Sequence, residues 1–292
     1  MTPKLINPPL MPRLTEGFSP WEEIAPEQVA RMRSHLKDLA GESELYCFFA
    51  HCTRLMRIGL DSTSYIADYE QQFRGEIRRI GKKYKNAAGI SSLITLCSFM
   101  KQMGLLLSPE EMKWTKGVEA LMKDFEGGHR WLEYITDAYY LRPLGFDYSP
   151  SILSHETEIK EYFLEKTWHQ GTNPRYALDV MVFIQSMDLD IGDLKANYRD
   201  ALPTFFQALS KDDDWETAMS AIVLAKKIGF DHTGFAKENK TAACKCLNAL
   251  ADRGRWYQFT SLAADMYELG LLTERGQRRD SPPPIGDWRE LK

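Results

Sequence analysis

The chain has 292 residues, 43% of them apolar and 27% charged, the composition of an ordinary soluble globular protein. Its 37 Lys and Arg against 41 Asp and Glu leave a net charge of −4, which excludes a protein that coats nucleic acid along its whole length. No apolar run approaches the roughly 20 residues that cross a bilayer, so the chain is not expected to be transmembrane.

Residues 1–22 contain Pro3, Pro8, Pro9, Pro12 and Pro20, too many for a helix, so this stretch is expected to be an extended N-terminal tail. Proline at position 3 breaks the apolar core that a secretory signal needs. Lys4 and Arg13, with no acid in the first 15 residues, are compatible with organelle import. The tail also carries Leu10, Met11, Leu14, Phe18 and Trp21. An extended segment this apolar has a reason to be so if it docks, either on its own chain or on a partner, and Phe18 and Trp21 are the candidate anchors.

Residues 23–274 read as a helical-repeat domain. Helix stops recur at Gly59-Leu60-Asp61, Gly104-Leu105-Leu106, Gly145-Phe146-Asp147, Asp188-Leu189-Asp190, Gly229-Phe230-Asp231 and Gly270-Leu271. Their spacings are 45, 41, 43, 41 and 41 residues, enough for two helices and two turns per unit. Trp131, Trp215 and Trp256 each stand fourteen residues before a stop, with apolar residues at helical spacing between, as at Met219, Ile222 and Val223. Glycine at such a stop supplies the left-handed conformation that ends a helix. No run of alternating Val, Ile and Thr bounded by Asn-Gly or Asp-Gly occurs. The expected fold is all-α: a solenoid of about six helix-turn-helix repeats of 41–45 residues, forming a curved right-handed layer. The three tryptophans should begin equivalent helices and Gly145, Gly229 and Gly270 should end them.

The second helix of each unit is also marked. Ser108-Pro109-Glu110-Glu111 predicts a reciprocal cap between Ser108 and Glu111, and Ser149-Pro150 opens another helix in the same way. Asp212-Asp213-Asp214 precedes Trp215, where negative charge offsets the helix dipole. One concentrated charge feature stands out: Arg74, Arg78, Arg79, Lys82, Lys83 and Lys85, broken only by Glu76. Arg74, Arg78 and Lys82 share a helix face. Such a stripe suits RNA phosphate, anionic lipid headgroups or an acidic partner, and it equally suits a solvated face at a helix C-terminus.

Known catalytic patterns are missing. There is no Gly-x-Gly-x-x-Gly, no phosphate loop with its lysine, and no His-Glu-x-x-His; Gly127-Gly128-His129 reads as a turn. The closest ligand groupings are His155-Glu156 and His51-Cys52. Cys47, Cys52, Cys97, Cys244 and Cys246 are odd in number and lie in apolar helical stretches, which suits a reducing compartment. The two sulfurs of Cys244-x-Cys246 diverge around a helix and do not readily share a metal. No metal, cofactor or catalytic residue is assigned. Residues 275–292, with Pro282-Pro283-Pro284, Ile285 and Trp288, are expected to form an extended C-terminal tail with Ile285 and Trp288 as docking anchors.

The helix closes Leu55-Met56-Arg57-Ile58-Gly59-Leu60-Asp61, Phe99-Met100-Lys101-Gln102-Met103-Gly104-Leu105 and Ala225-Lys226-Lys227-Ile228-Gly229-Phe230-Asp231 resemble the end of a pentatricopeptide repeat. The period here is longer than in that family, and the Tyr-Asn opening of its first helix is missing, so no base-reading position carries over. The resemblance implies a helical hairpin array of the kind typical of mitochondria and plastids. The expected role is a non-enzymatic scaffold or accessory subunit, bound to other protein subunits of a mitochondrial, or otherwise cytoplasmic, assembly. The alternative expectation is an organellar RNA-binding protein acting in RNA processing or translation, with peripheral contact to anionic lipid as a third use of the basic stripe.

Overall fold

The computed structural model describes residues 19, 21–41, 44–58, 60, 63–83, 87–105, 107–108, 111–167 and 174–275. These residues form fifteen α-helices and no strand beyond one antiparallel bridge between Trp21 and Glu274. In chain order the helices are α1 (Pro26–Gly41), α2 (Leu45–Arg57), α3 (Thr63–Lys83), α4 (Ala87–Gln102), α5 (Val118–Gly127) and α6 (Trp131–Leu141). There follow α7 (Ser149–Ser154), α8 (Glu156–Thr167), α9 (Pro174–Ser186), α10 (Gly192–Tyr198), α11 (Ala201–Lys211) and α12 (Trp215–Lys227). The last three are α13 (Thr233–Glu238), α14 (Lys240–Asp252) and α15 (Trp256–Glu268).

Trp131, Trp215 and Trp256 open α6, α12 and α15, and all three are buried. The stops take the left-handed conformation, with φ of 78° at Gly104, 94° at Gly145, 91° at Gly229 and 69° at Gly270. Asp188 stands in place of glycine and holds φ at 64°, which Asp tolerates better than most L-residues. The next residue's amide reaches back to close the helix, as in Phe230 N to Ala225 O at 2.8 Å and Leu271 N to Met266 O at 2.8 Å. The acid that follows then starts the next helix: Asp147, Asp190 and Asp231 accept from the amides of Ser149, Gly192 and Thr233 at 2.9, 3.0 and 2.9 Å. At Ser149 this corrects the sequence reading, because Ser149 is the first helical residue, Tyr148 holds the N-cap position without a side-chain cap, and Asp147 accepts the Ser149 amide. The expected Ser108–Glu111 cap is present in both directions, at 2.9 and 3.3 Å, and leads into a short 3-10 turn, Lys113–Gly117, before α5.

An added Cβ at Gly270 meets nothing within 4 Å, so Gly270→Ala isolates the backbone cost. Urea denaturation should show a loss of about 1–2 kcal/mol, and Asp188→Gly should shift the midpoint the opposite way.

Six helices, α2, α4, α6, α9, α12 and α15, touch in sequence, and α15 touches α2, so the set closes into a ring. Each is covered by the helix before its own turn: α1 on α2, α3 on α4, α5 on α6, α8 on α9, α11 on α12 and α14 on α15. The six inner helices run in the same direction. Arg142 at the end of α6 donates to the Ser186 carbonyl at the end of α9 (2.8 Å), and Lys227 at the end of α12 pairs with Glu268 at the end of α15 (3.3 Å). The core lies between the inner and outer helices and includes Phe48, Phe73, Phe125, Phe163, Phe206 and Phe259, each no more than 2% exposed.

Of the two docking surfaces expected for Trp21, its own chain and a partner, the structure shows the first. Trp21 is 4% exposed and packs on Tyr267 with ring centroids 5.1 Å apart. The segment pairs with the chain's own C-terminal end through Glu22 N to Thr273 O (2.9 Å), Arg275 Nε to Trp21 O (2.9 Å) and Lys240 Nζ to Glu23 (2.6 Å). Residues assigned to an outlying tail thus belong to the helical body. Phe18, Ile285 and Trp288 lie outside the described residues.

Candidate functional site

Three of the six cations of the basic stripe make ion pairs within the chain. Glu111, whose side chain is 0% exposed, takes Arg74 at 2.7 Å and Arg78 at 3.1 Å as well as the Ser108 amide. Arg74 also pairs with Glu70 at 2.6 Å, and Arg79 pairs with Glu76. Arg74 is thus held in a structural clamp with only 14% of its side chain exposed, whereas Arg78 and Arg79 are ion-paired but keep 48% and 59% of theirs exposed. Lys82 is exposed, while Lys85 and the side chain of Lys83 lie outside the described residues.

The candidate ligand groupings also resolve into structural pairs. His155 bonds Glu126 at 2.6 Å and lies against Trp131. His51 is buried, its Nδ1 is 3.0 Å from the Thr260 hydroxyl, and burial followed by the charges of His35 and Arg54 brings its pKa down to about 3. It is neutral across the physiological range. Burial pushes the Cys97 thiol up to about 12, far from a nucleophile's range. Among the described residues no group of three or more His, Cys, Asp or Glu could hold a metal ion.

The functional surface that remains is the interior of the ring. Counting back from each stop, the residues thirteen before it are Tyr46, Ser91, Leu132, Arg175, Glu216 and Tyr257; those nine before are Ala50, Thr95, Thr136, Asp179, Ser220 and Ser261. Positions four apart share a helix face, and side chains of this face sense one another across the ring. Glu216 on α12 feels Arg54 on α2, and Tyr140 on α6 feels Tyr46 on α2, Asp179 on α9 and Tyr257 on α15. The face is mixed in sign. Arg54 lies over the Tyr257 ring at 3.9 Å, Arg57 pairs with Asp265 at 3.5 Å and with Glu268, and Asp179 is pushed up by burial against the pull of Arg175 and Lys227.

A cavity of about 650 Å³ opens into this interior between α2, α4 and α6. Its wall includes Tyr46, Ser91, Thr95, Thr136, Asp137 and Tyr140. Asp137 is 5% exposed and accepts from the Ser91 hydroxyl at 2.6 Å. Burial carries its pKa from 3.8 up to about 6, opposed by Ser91. The sequence pattern did not nominate Asp137, Tyr46 or Tyr140. The signal that locates the axial face is the register counted from the stops.

Because folding raises the Asp137 pKa, the folded chain binds more protons between pH 4 and 6, and this group's contribution falls as pH rises through that window. Asp137→Asn should therefore gain stability on the order of 2 kcal/mol at pH 7.5 and nothing at pH 4, which denaturation at the two pH values checks.

No protein-family model, curated protein or solved structure matches the chain.

Proposed function

We propose that the chain is a non-catalytic scaffold subunit, six helical hairpins closed into a ring, that docks another protein at the end where the inner helices begin. The observation that carries this reading is the placement of exposed apolar side chains. Four large ones are exposed among the described residues, and three of them, Tyr46, Tyr176 and Tyr257, fall in the first three residues of α2, α9 and α15. Because those helices run in parallel, the three tyrosines stand at one end of the ring. Arg175 and Glu216 stand there too, and tyrosine with arginine is the composition of interface hot spots. A repeat array supplies such a surface without any chemistry of its own. The helix closes that resemble pentatricopeptide repeats, with five cysteines all unpaired, support a place in a mitochondrial or cytosolic assembly. The RNA reading loses the support of Arg74, which is clamped between Glu70 and Glu111, and becomes an outcome of the test.

Tagged protein purified from its native source should retain a protein partner near one-to-one. Tyr46→Ala with Tyr257→Ala should cut that retention at least about tenfold while circular dichroism stays unchanged. Retention unaffected by the pair, or a nuclease-sensitive RNA as the retained species, would contradict the proposal.

A further inference from the structure

We propose that the cavity between α2, α4 and α6 binds an alkylammonium group, with Asp137 as its counter-ion and Tyr46 and Tyr140 as its aromatic wall. This goes beyond the docking role and does not require it. The volume, about 650 Å³, is that of a site for a small organic ligand. The lining selects the charge. Among the described residues it contains two carboxylates, Glu44 and Asp137, and no Lys, Arg or His. The cations whose charge reaches Tyr46 and Asp137 are committed elsewhere: Arg54 lies over Tyr257, and Arg130 pairs with Glu133 at 3.0 Å and Asp124 at 3.7 Å.

Asp137 itself is nearly buried, and its Oδ2 accepts the Ser91 hydroxyl, which holds the carboxylate in place. Tyr46, Phe99 and Tyr140 stand in a row, with successive ring centroids 5.9 Å apart. Ring faces beside a carboxylate attract a cation that keeps part of its alkyl chain out of water. Thr95 and Thr136 also line the cavity, and their hydroxyl oxygens are acceptors suited to the remaining ammonium hydrogens. An ammonium ion can come from a free amine or from a lysine side chain of a partner, and the site chemistry is the same for both.

Calorimetric titration of the full chain at pH 7.5 tests this with three probes: n-butylammonium, Nα-acetyl-lysine methylamide and neutral n-butanol. The expected result is saturable binding of one or both cations and none of butanol. Tighter binding of the lysine derivative would point to a partner's lysine, and tighter binding of butylammonium to a free amine. Asp137→Asn keeps the shape and should weaken binding at least about tenfold. Tyr140→Leu should weaken it severalfold, which provides a second reading if the first variant unfolds. Absence of saturable cation binding, equal binding of butanol, or unchanged affinity in both variants would overturn the assignment. None of these outcomes depends on whether a protein docks at the tyrosine-bearing end.

Discussion

Replacing Trp21 by alanine is expected to cost about 3–5 kcal/mol. The indole is 4% exposed and fills the junction between the N-terminal segment and Tyr267, so its removal leaves a void where the ring closes. The same segment carries Glu23, which joins Lys240 and Thr273, and Arg275 bonds the Trp21 carbonyl. These contacts are held together by the tryptophan's burial, so they should loosen together. Trp21→Phe should cost much less, because the buried indole Nε1 has no hydrogen-bond partner to lose. Equilibrium denaturation separates the two variants. A loss below 1 kcal/mol for alanine would contradict the packing described.

Glu111→Ala is expected to have an effect of similar size, about 3–5 kcal/mol, for an electrostatic reason. The carboxylate is fully buried, and Arg74, only 14% exposed, would be left with Glu70 as its one remaining described carboxylate partner. The same change removes the cap on the Ser108 amide. Burial alone would raise this carboxyl's pKa; the Ser108 bonds and the charges of Arg74 and Arg78 outweigh it, and the net shift is downward from 4.5. A depressed carboxyl contributes stability that is present above its unfolded pKa and is lost as pH falls through the folded value. The wild-type protein should therefore lose this contribution below about pH 4.5, converging on the alanine variant in acid. An unchanged gap between the two at pH 3 and pH 7 would contradict the clamp.

The elements that were legible in the sequence are those whose causes are local. Glycine or Asp at a left-handed position, an apolar residue after it and an acid third are three adjacent residues, and each acts within one turn of the chain. The tryptophan openings and the Ser108–Glu111 cap are legible for the same reason. Ring closure is not local: Glu23 and Lys240 are 217 residues apart, and Arg57 and Asp265 are 208 apart. No spacing rule connects such pairs. Glu111 was visible as a cap but not as the partner of Arg74, because that contact joins two successive hairpins. Arg74 therefore looked more open than it is. Asp137 lies eight residues before a stop, beside the series Thr95, Thr136, Asp179, Ser220 and Ser261. That short polar series at one register is the trace the axial face leaves in the sequence, and it becomes readable only once the helices are known to enclose a common interior.

Closure of the ring underlies both the tyrosine-bearing end and the cavity, and the Glu23–Lys240 pair reports it directly. Lys240 Nζ lies 2.6 Å from Glu23 Oε1, within reach of a zero-length carbodiimide cross-link, whereas an open array would hold residues 23 and 240 at opposite ends. The monomer band, digested and read by mass spectrometry, should contain a peptide joining Glu23 to Lys240. The Lys227–Glu268 link, between neighbouring helices in either arrangement, serves as the control. A Lys227–Glu268 link without any Glu23–Lys240 link would contradict a closed ring.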